Sequence, residues 1–403
     1  MSVSLWMDSQ KGQLGHRQEH SFDVVIIGGG IAGLSAAYWL AKEDSELRIA
    51  LVEKYRLGDG ATGRNAGFIT CGSVEHFNRL CESFGKEKAL EIWKFSEENL
   101  RLLKEEIIES KFVSKDQKDQ KEKLLFEEKG SFSLASTKEE LTELKKSAAL
   151  MKELGIAVEV LNEDGVKKRL GAEGFCGGIK YMGDASIHPL ALINEIKERL
   201  NDRVEFFENH EVFDIESHGE QKRVMTRGAR FNCNMVVMAT NGYSPLLHEF
   251  FKDKIFPTRG QILATEAVPR FMEGPCYANF VLDYFRQLPS GEMVIGGFRQ
   301  LQKDVEVGYS DETTDVIQKA LEDFLAKHIP KLKDVKISHR WSGIMGFSAD
   351  GQPLVGALPT DNQIYFLGGF TAHGLGLAFH CGKVLADSVF GRPIPDFISA
   401  KRF

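Results

Sequence analysis

Gly28, Gly30 and Gly33 stand in G-x-G-x-x-G spacing, with Ile31 and Ala32 inside the motif. The apolar run Phe22 to Ile27 precedes them at strand length, and a helical stretch through Leu40 follows. A second apolar run, Leu47 to Val52, ends at Glu53, twenty residues beyond Gly33. In such a βαβ unit the first glycine makes a tight turn and the second lets backbone approach a pyrophosphate. The third lets helix and strand pack closely, and the acid accepts hydrogen bonds from ribose hydroxyls. The free N–H groups and positive dipole end of the helix face the phosphates. A dinucleotide is the ligand this pattern predicts.

Further small-residue turns lie far apart in the chain. Gly58 to Gly67 surrounds Arg64, Asn65 and Ala66, and Ala239-Thr240-Asn241-Gly242 closes an apolar strand. Trp341 to Pro353 includes Gly343 and Ile344. Gly368 to Gly376, with His373, Gly374 and Leu375, opens a helix to Val389. That helix carries Gly374, Ala378, Gly382 and Ala386 at four-residue intervals, a stripe that permits close approach of another element. Turns spread this widely suit an extended FAD better than NAD.

The elements that must position these turns follow from the same reading. Helices are expected over Glu87 to Ser110, after a capping box at Ser136-Thr137-Lys138-Glu139, from Pro189 to Leu200, and over Thr313 to His328. Strands are expected at Gly130 to Ala135, Ile156 to Val160, Val204 to Ile215, Met235 to Ala239, Gln261 to Thr265, Phe280 to Arg286 and Met293 to Phe298. The 403 residues suffice for two domains, and the composition, 42% hydrophobic and 27% charged, is that of a globular protein. A net charge of −7 gives no reason to expect nucleic acid as partner. No apolar run is long enough for a transmembrane segment, and the polar tail 1–20 lacks the apolar centre of a signal peptide, so a cytoplasmic location is expected. The six cysteines form no C-x-x-C pair or metal spacing and read as reduced thiols.

Together, Gly28 to Gly33 with Glu53, the Gly60 to Gly67 block, Trp341 with Asp350-Gly351-Gln352-Pro353, and Gly369 to Gly376 resemble the D-amino acid oxidase superfamily of FAD-dependent oxidoreductases. The two blocks around Arg64 and His373 look nearest to the γ-glutamylputrescine oxidase type. The resemblance implies an α/β fold, in which a Rossmann-like FAD-binding domain interleaves with an α+β substrate domain built on a mixed sheet. It places the FAD domain at 21–88, 150–250 and 336–395, and the substrate domain at 89–149 and 251–335. Gly28, Gly30, Ile31, Ala32, Gly33, Glu53 and Lys54 would hold the ADP half, with Val212 meeting the adenine. Arg64, Asn65, Ala66, Gly67, Thr240, Gly343, Ile344 and His373 to Gly376 would line the remainder.

Two departures bear on the chemistry. Some relatives attach flavin through a cysteine near Gly343 or a histidine in the first glycine-rich block. Here no cysteine lies between Cys276 and Cys381, and Arg64 occupies the first block, so non-covalent FAD is expected. Sarcosine-type enzymes carry a carboxylate-binding lysine after the His-Gly pair, where this chain has Gly376, which favours an amine or a carboxylate held elsewhere. The implied reaction is oxidation of a C–N bond in an amine or amino acid, with hydride transfer to flavin, imine hydrolysis and reoxidation by O2 to H2O2. A dehydrogenase of an amino or 2-hydroxy acid using a quinone or carrier, and a non-catalytic dinucleotide binder, are the alternatives. Tyr284, Arg286, Arg259 and His373 are the substrate-side candidates. The two arginines, on expected strands, suit either a substrate carboxylate or an interdomain salt bridge.

Overall fold

The computed structural model describes residues 18–72, 76–110 and 117–403. Of the expected tail 1–20, residues 1–17 lie outside the described residues, and Gln18 to His20 already belong to the first strand.

The first sheet is built on β1 (Gln18–Ile27), which runs parallel to β2 (Ile49–Val52) on one side and β11 (Ala229–Met238) on the other. β8 (Val204–Phe207) extends it beyond β2, and β18 (Asp361–Gly368) with β17 (Leu354–Leu358) beyond β11. The order is β17-β18-β11-β1-β2-β8, with β9 (Val212–His218) and β10 (Gln221–Thr226) added as a hairpin on β11. All four residues of β2 are buried, as expected of a parallel strand covered on both faces. The crossover between β1 and β2 is helix α1 (Ile31–Glu43).

The second sheet has the order β16 (Ile337–Ser348), β12 (Ile255–Thr265), β15 (Met293–Gly296), β14 (Asp283–Gln287), β13 (Cys276–Ala278), β4 (Ser131–Ala135), β6 (Gly177–Tyr181) and β5 (Val158–Asn162). Only β13 and β4 pair in parallel, so this sheet is mixed. A small pair, β3 (Phe68–Ile69) with β7 (Ala185–Ser186), lies apart from both.

The other helices are α2 (Phe77–Phe84), α3 (Lys86–Leu103), α4 (Gln117–Lys123), α5 (Lys138–Glu153), α6 (Glu163–Leu170), α7 (Pro189–Leu200), α8 (Asp315–His328) and α9 (Gly374–Val389). Helices α1, α3, α7 and α9 share one apolar core on the first sheet, containing Leu34, Trp39, Phe95, Ile193 and Phe379. A separate core of Phe132, Phe285, Ile295, Leu321 and Phe324 lies between the second sheet and α8. The small-residue stripe of α9 has its expected purpose. A side chain on Gly382 would begin 2.7 Å from Cβ of Ser35 on α1.

Several expectations shift. Strands β5, β6 and β16 hydrogen-bond into the second sheet, and α3 packs in the core of the first. The expected strand Val204 to Ile215 divides into β8 and β9, with Asn209 turning at φ 60°. The strand expected from Phe280 begins at Asp283, because Asn279, Phe280 and Val281 take positive φ of 50°, 56° and 66°. The capping box is Thr137 with Glu140, one residue later than expected. The Thr137 hydroxyl accepts from Glu140 N, and the Glu140 carboxylate accepts from Ser136 N.

Candidate functional site

The nucleotide turn is closed by contacts that tolerate no side chain. Gly28 takes φ +110°, and a Cβ there would sit 2.7 Å from the Ala239 carbonyl oxygen. One on Gly33 would lie 1.9 Å from the Gly28 carbonyl oxygen. Gly30 precedes α1 without any side-chain cap, and the first turn of the helix holds no acid, leaving its positive end for an anion. The Thr62 hydroxyl accepts from Ile31 N at 3.0 Å, tying the second glycine-rich block to this helix start. Glu53 accepts from Gly29 N at 2.7 Å and Tyr55 N at 2.9 Å. Burial raises its carboxyl pKa, against the pull of those backbone donors. Lys54 is exposed and pairs with Glu211 at 2.8 Å, next to Val212, the first residue of β9.

The second block reaches the second sheet. Arg64 donates to the Asp59 and Ser342 carbonyls at 2.9 Å, and its own carbonyl accepts from Trp341 Nε1 at 2.9 Å. Gly343 packs on Arg64, where a side chain would begin 3.0 Å from the arginine Cβ. Asn65 serves its own loop, donating to the Thr62 carbonyl and accepting from Gly67 N, both at 2.7 Å. Ala66 joins Ile262, Ala264 and Val294 of the second sheet, the roof of the site, in a small apolar cluster, and Ile344 is buried on β16.

The third turn brings α9 to the same place. Thr371 and Ala372 hold positive φ of 47° and 68°, strain of the kind that persists where the surroundings over-determine it. Asn241, after Thr240, accepts from Gly369 N at 2.9 Å and so links this turn to the end of β11. Helix α9 begins at Gly374 with no side-chain cap and no acid in its first turn. A Cβ on Gly376 would lie 2.4 Å from the Thr70 carbonyl oxygen, and Leu375 is buried. His373, half-buried, has its pKa lowered by burial to about 4, so it is neutral at physiological pH. Two uncapped helix starts, the Glu53 acid and these close-packed glycine turns form a cradle whose backbone donors and side-chain-free turns suit FAD.

The substrate-side candidates separate. Arg259 is 4% exposed and makes a bidentate pair with Glu306, Nε to Oε2 at 3.0 Å and Nη2 to Oε1 at 2.9 Å. Its charge is already neutralised inside the protein, so the salt-bridge reading replaces the carboxylate-binding one. Arg286 is 2% exposed and donates to the Gly67 carbonyl at 2.8 Å and the Ile187 carbonyl at 3.3 Å. It pins the glycine loop from beneath, and burial lowers its pKa to about 10. Tyr284 lies with its ring across Gly296 and edge-on to Phe68 at 6.0 Å, and burial raises its phenol pKa.

Two groups missed in the sequence complete this face. Tyr277 OH lies 3.1 Å from the Thr70 hydroxyl, and its ring meets Phe68 at 5.3 Å. Arg299 stacks 4.2 Å above the Phe347 ring and feels the field of Tyr284. Among the described residues no carboxylate lies in ion-pair range of it, and burial depresses its pKa. Its one sequence signal was an arginine two residues past the glycine pair Gly296-Gly297, which closes β15.

No helix among the described residues is long and apolar enough to cross a membrane, and no group of acids, histidines or cysteines there has metal-site geometry. All six cysteines are free thiols, four of them buried.

Comparison with known proteins agrees with this geometry. The family model described as FAD dependent oxidoreductase (DAO) matches residues 23–388. The probable oxidoreductase OrdL of Haemophilus influenzae is 26% identical over 390 residues, covering 93% of this chain and 84% of its own. The gamma-glutamylputrescine oxidoreductase of Escherichia coli is 25% identical over 382 residues, covering 92% and 84%. The glycine oxidase of Bacillus subtilis is 25% identical over 394 residues, covering 94% and 96%. Among solved structures, glycine oxidase from Geobacillus kaustophilus superimposes with a TM-score of 0.77 at 22% identity, covering 93% of this chain and 96% of that one. The cradle, the family model and the shared fold make the chain a member of the DAO family of FAD-dependent oxidoreductases, an enzyme of the amine and amino-acid oxidase or dehydrogenase type.

Proposed function

We propose that this protein oxidises the C–N bond of an amine that carries a carboxylate or carbonyl group, with non-covalent FAD as acceptor. The observation that carries this reading is Arg299, a half-buried cation without a carboxylate partner, beside Tyr284 and Phe347 on the roof of the site. A guanidinium so placed suits a planar anionic or carbonyl group on a substrate. It answers the lack of a lysine after the His-Gly pair.

Gly28 to Gly33, Glu53, Lys54 and Val212 would hold the ADP half of FAD, with the start of α1 against the phosphates. Arg64 to Gly67, Thr240, Gly343, Ile344 and His373 to Gly376 would hold the rest. The chemistry FAD supplies when bound is acceptance of a hydride equivalent from the carbon beside nitrogen, with reoxidation by O2 to H2O2. The chain supplies orientation and electrostatics. The start of α9 presents a positive dipole end to negative charge that develops at the ring, a contribution of the oxyanion-hole type. Neutral His373 adds hydrogen-bonding capacity there without a full charge. Phe68, Tyr277, Tyr284 and Phe347 make an aromatic enclosure that excludes water from a neutral amine. No strong base is needed when the amine enters unprotonated, and the imine product hydrolyses in water.

The test is a panel of paired substrates, each amino acid against the amine that lacks only its carboxylate, assayed for flavin bleaching under argon and H2O2 release in air. Preference for the carboxylate member with H2O2 release is the expected result. Bleaching without O2 consumption would move the assignment to a dehydrogenase, and equal rates for both members would remove the role given to Arg299.

A further inference from the structure

One buried carboxyl has no part in the reaction as described. Asp184, 2% exposed, sits where the segment after β3 meets the second sheet. Its Oδ1 accepts from Cys71 N at 3.0 Å, its Oδ2 from the Ser131 hydroxyl at 2.5 Å, and its backbone carbonyl from Gly130 N at 3.0 Å. Ser131 opens β4, so a single side chain ties the 70–72 segment to the roof sheet. From the next residue, Gly72 N donates to Ser96 Oγ on α3 at 2.7 Å. The other side of this segment faces the ring site, through the Thr70 carbonyl against Gly376 and the Thr70 hydroxyl against Tyr277.

The titratable groups that face Asp184 are the Cys71 thiol, Glu97 from α3, Tyr181 from β6 and Tyr277 from β13. None is a cation. We propose that Asp184 is a positioning residue for the flavin reaction, its ionised carboxylate fixing Thr70 to Gly72 between the roof and α9. Proton uptake there weakens that hold and slows flavin reduction. The physical basis is that a carboxylate accepting an N–H makes a charge-assisted bond roughly twice as strong as the neutral acid can. Burial raises this carboxyl to about 6, which brings the change into an accessible pH range.

The inference rests on the reading of the 70–72 segment as a wall of the flavin site, and its test separates the two. FAD-loaded protein without substrate is titrated from pH 8 to pH 5 while the visible flavin spectrum is followed. A spectral transition near pH 6 is expected, absent in D184N. S131A removes a donor to the charged form and moves the transition to higher pH. With substrate at saturation, the limiting rate of flavin reduction falls several-fold through the same transition, and D184N shows the lower rate at every pH. A transition unchanged in both variants overturns the role of Asp184. Flavin that titrates as expected but is bleached by no amine overturns the proposed reaction and leaves Asp184's role intact. If D184N does not fold, the S131A shift decides alone.

Discussion

Replacing Arg299 by Met tests the substrate reading through a quantity the structure sets. The guanidinium is already partly desolvated and stacked at 4.2 Å on Phe347, yet has no carboxylate partner among the described residues. Folding has therefore met its desolvation, and a substrate carboxylate gains a charge-assisted bond that needs little reorganisation. Such a bond contributes about 1.5–3 kcal/mol. At about 1.36 kcal/mol per decade, Arg299→Met lowers the rate of flavin reduction per unit concentration by roughly 10- to 150-fold for an amino acid. The matched amine without the carboxylate loses nothing beyond about twofold. Met keeps an apolar stem over Phe347 and removes a half-buried charge, so the melting temperature holds or rises. The assay is anaerobic stopped-flow bleaching of the flavin band over a range of substrate concentrations, wild type against variant, with both members of the pair. An equal loss for the two substrates refutes the reasoning, because Arg299 would then act on the fold or the flavin and not on a carboxylate.

Other consequences follow from the same contacts. Acid precipitation of the purified protein should release all flavin into the supernatant; colour in the pellet would show a covalent link. Gly382→Leu would drive a side chain into Ser35, whose Cβ lies 2.7 Å from the first added atom, and should destabilise the protein by about 1–3 kcal/mol with weaker FAD retention, read by thermal melting and by dialysis. His76 is 3% exposed and burial lowers its pKa to about 4, so its unfolded form binds a proton more readily than its folded form. The stability it contributes is fully present above about pH 6.5 and is lost as pH falls toward 4, up to roughly 3 kcal/mol. H76N should flatten the acid limb of a denaturation series, and a variant curve parallel to wild type would count against it. Asp184 has the opposite sign: its raised pKa favours the fold at low pH and costs about 3 kcal/mol once pH exceeds 6, so D184N melts should gain on wild type as pH rises.

The nucleotide half was legible because its requirements are local. A turn that needs φ +110° at Gly28 and leaves 1.9 Å beside Gly33 admits only glycine, so the constraint is written as residue identity. The helix at Pro189 was legible for a similar reason, since His188 caps it and proline suits the first turn. The capping box at 137–140 was half-legible. Two hydroxyls and two acids stood side by side, and the choice was made far away, by Phe280 N donating to the buried Glu140 carboxylate at 2.6 Å. The membership of the second sheet was not legible, on the same ground. β6 joins the second sheet through β4, forty-odd residues earlier, and no local pattern in Gly177 to Tyr181 records that pairing.

The arginines show where sequence pattern stops carrying chemistry. Arg259 and Arg286 on strands β12 and β14 read alike as candidate anion holders, whereas Arg299, just past β15 in the same sheet region, was not singled out. What distinguishes them is whose charge or dipole reaches each one first. Glu306, 47 residues downstream, takes Arg259, and two backbone carbonyls from separate loops take Arg286. A buried cation satisfied within the fold is lost to the substrate, since displacing its partner would leave a buried group unpaired at a cost of about 3–5 kcal/mol. Glu306→Gln should therefore lower stability by an amount of that order while leaving the preference between paired substrates unchanged. Chemical denaturation and the substrate panel check the two halves separately. A lost preference would return Arg259 to the site, because its release from Glu306 would then have altered substrate binding.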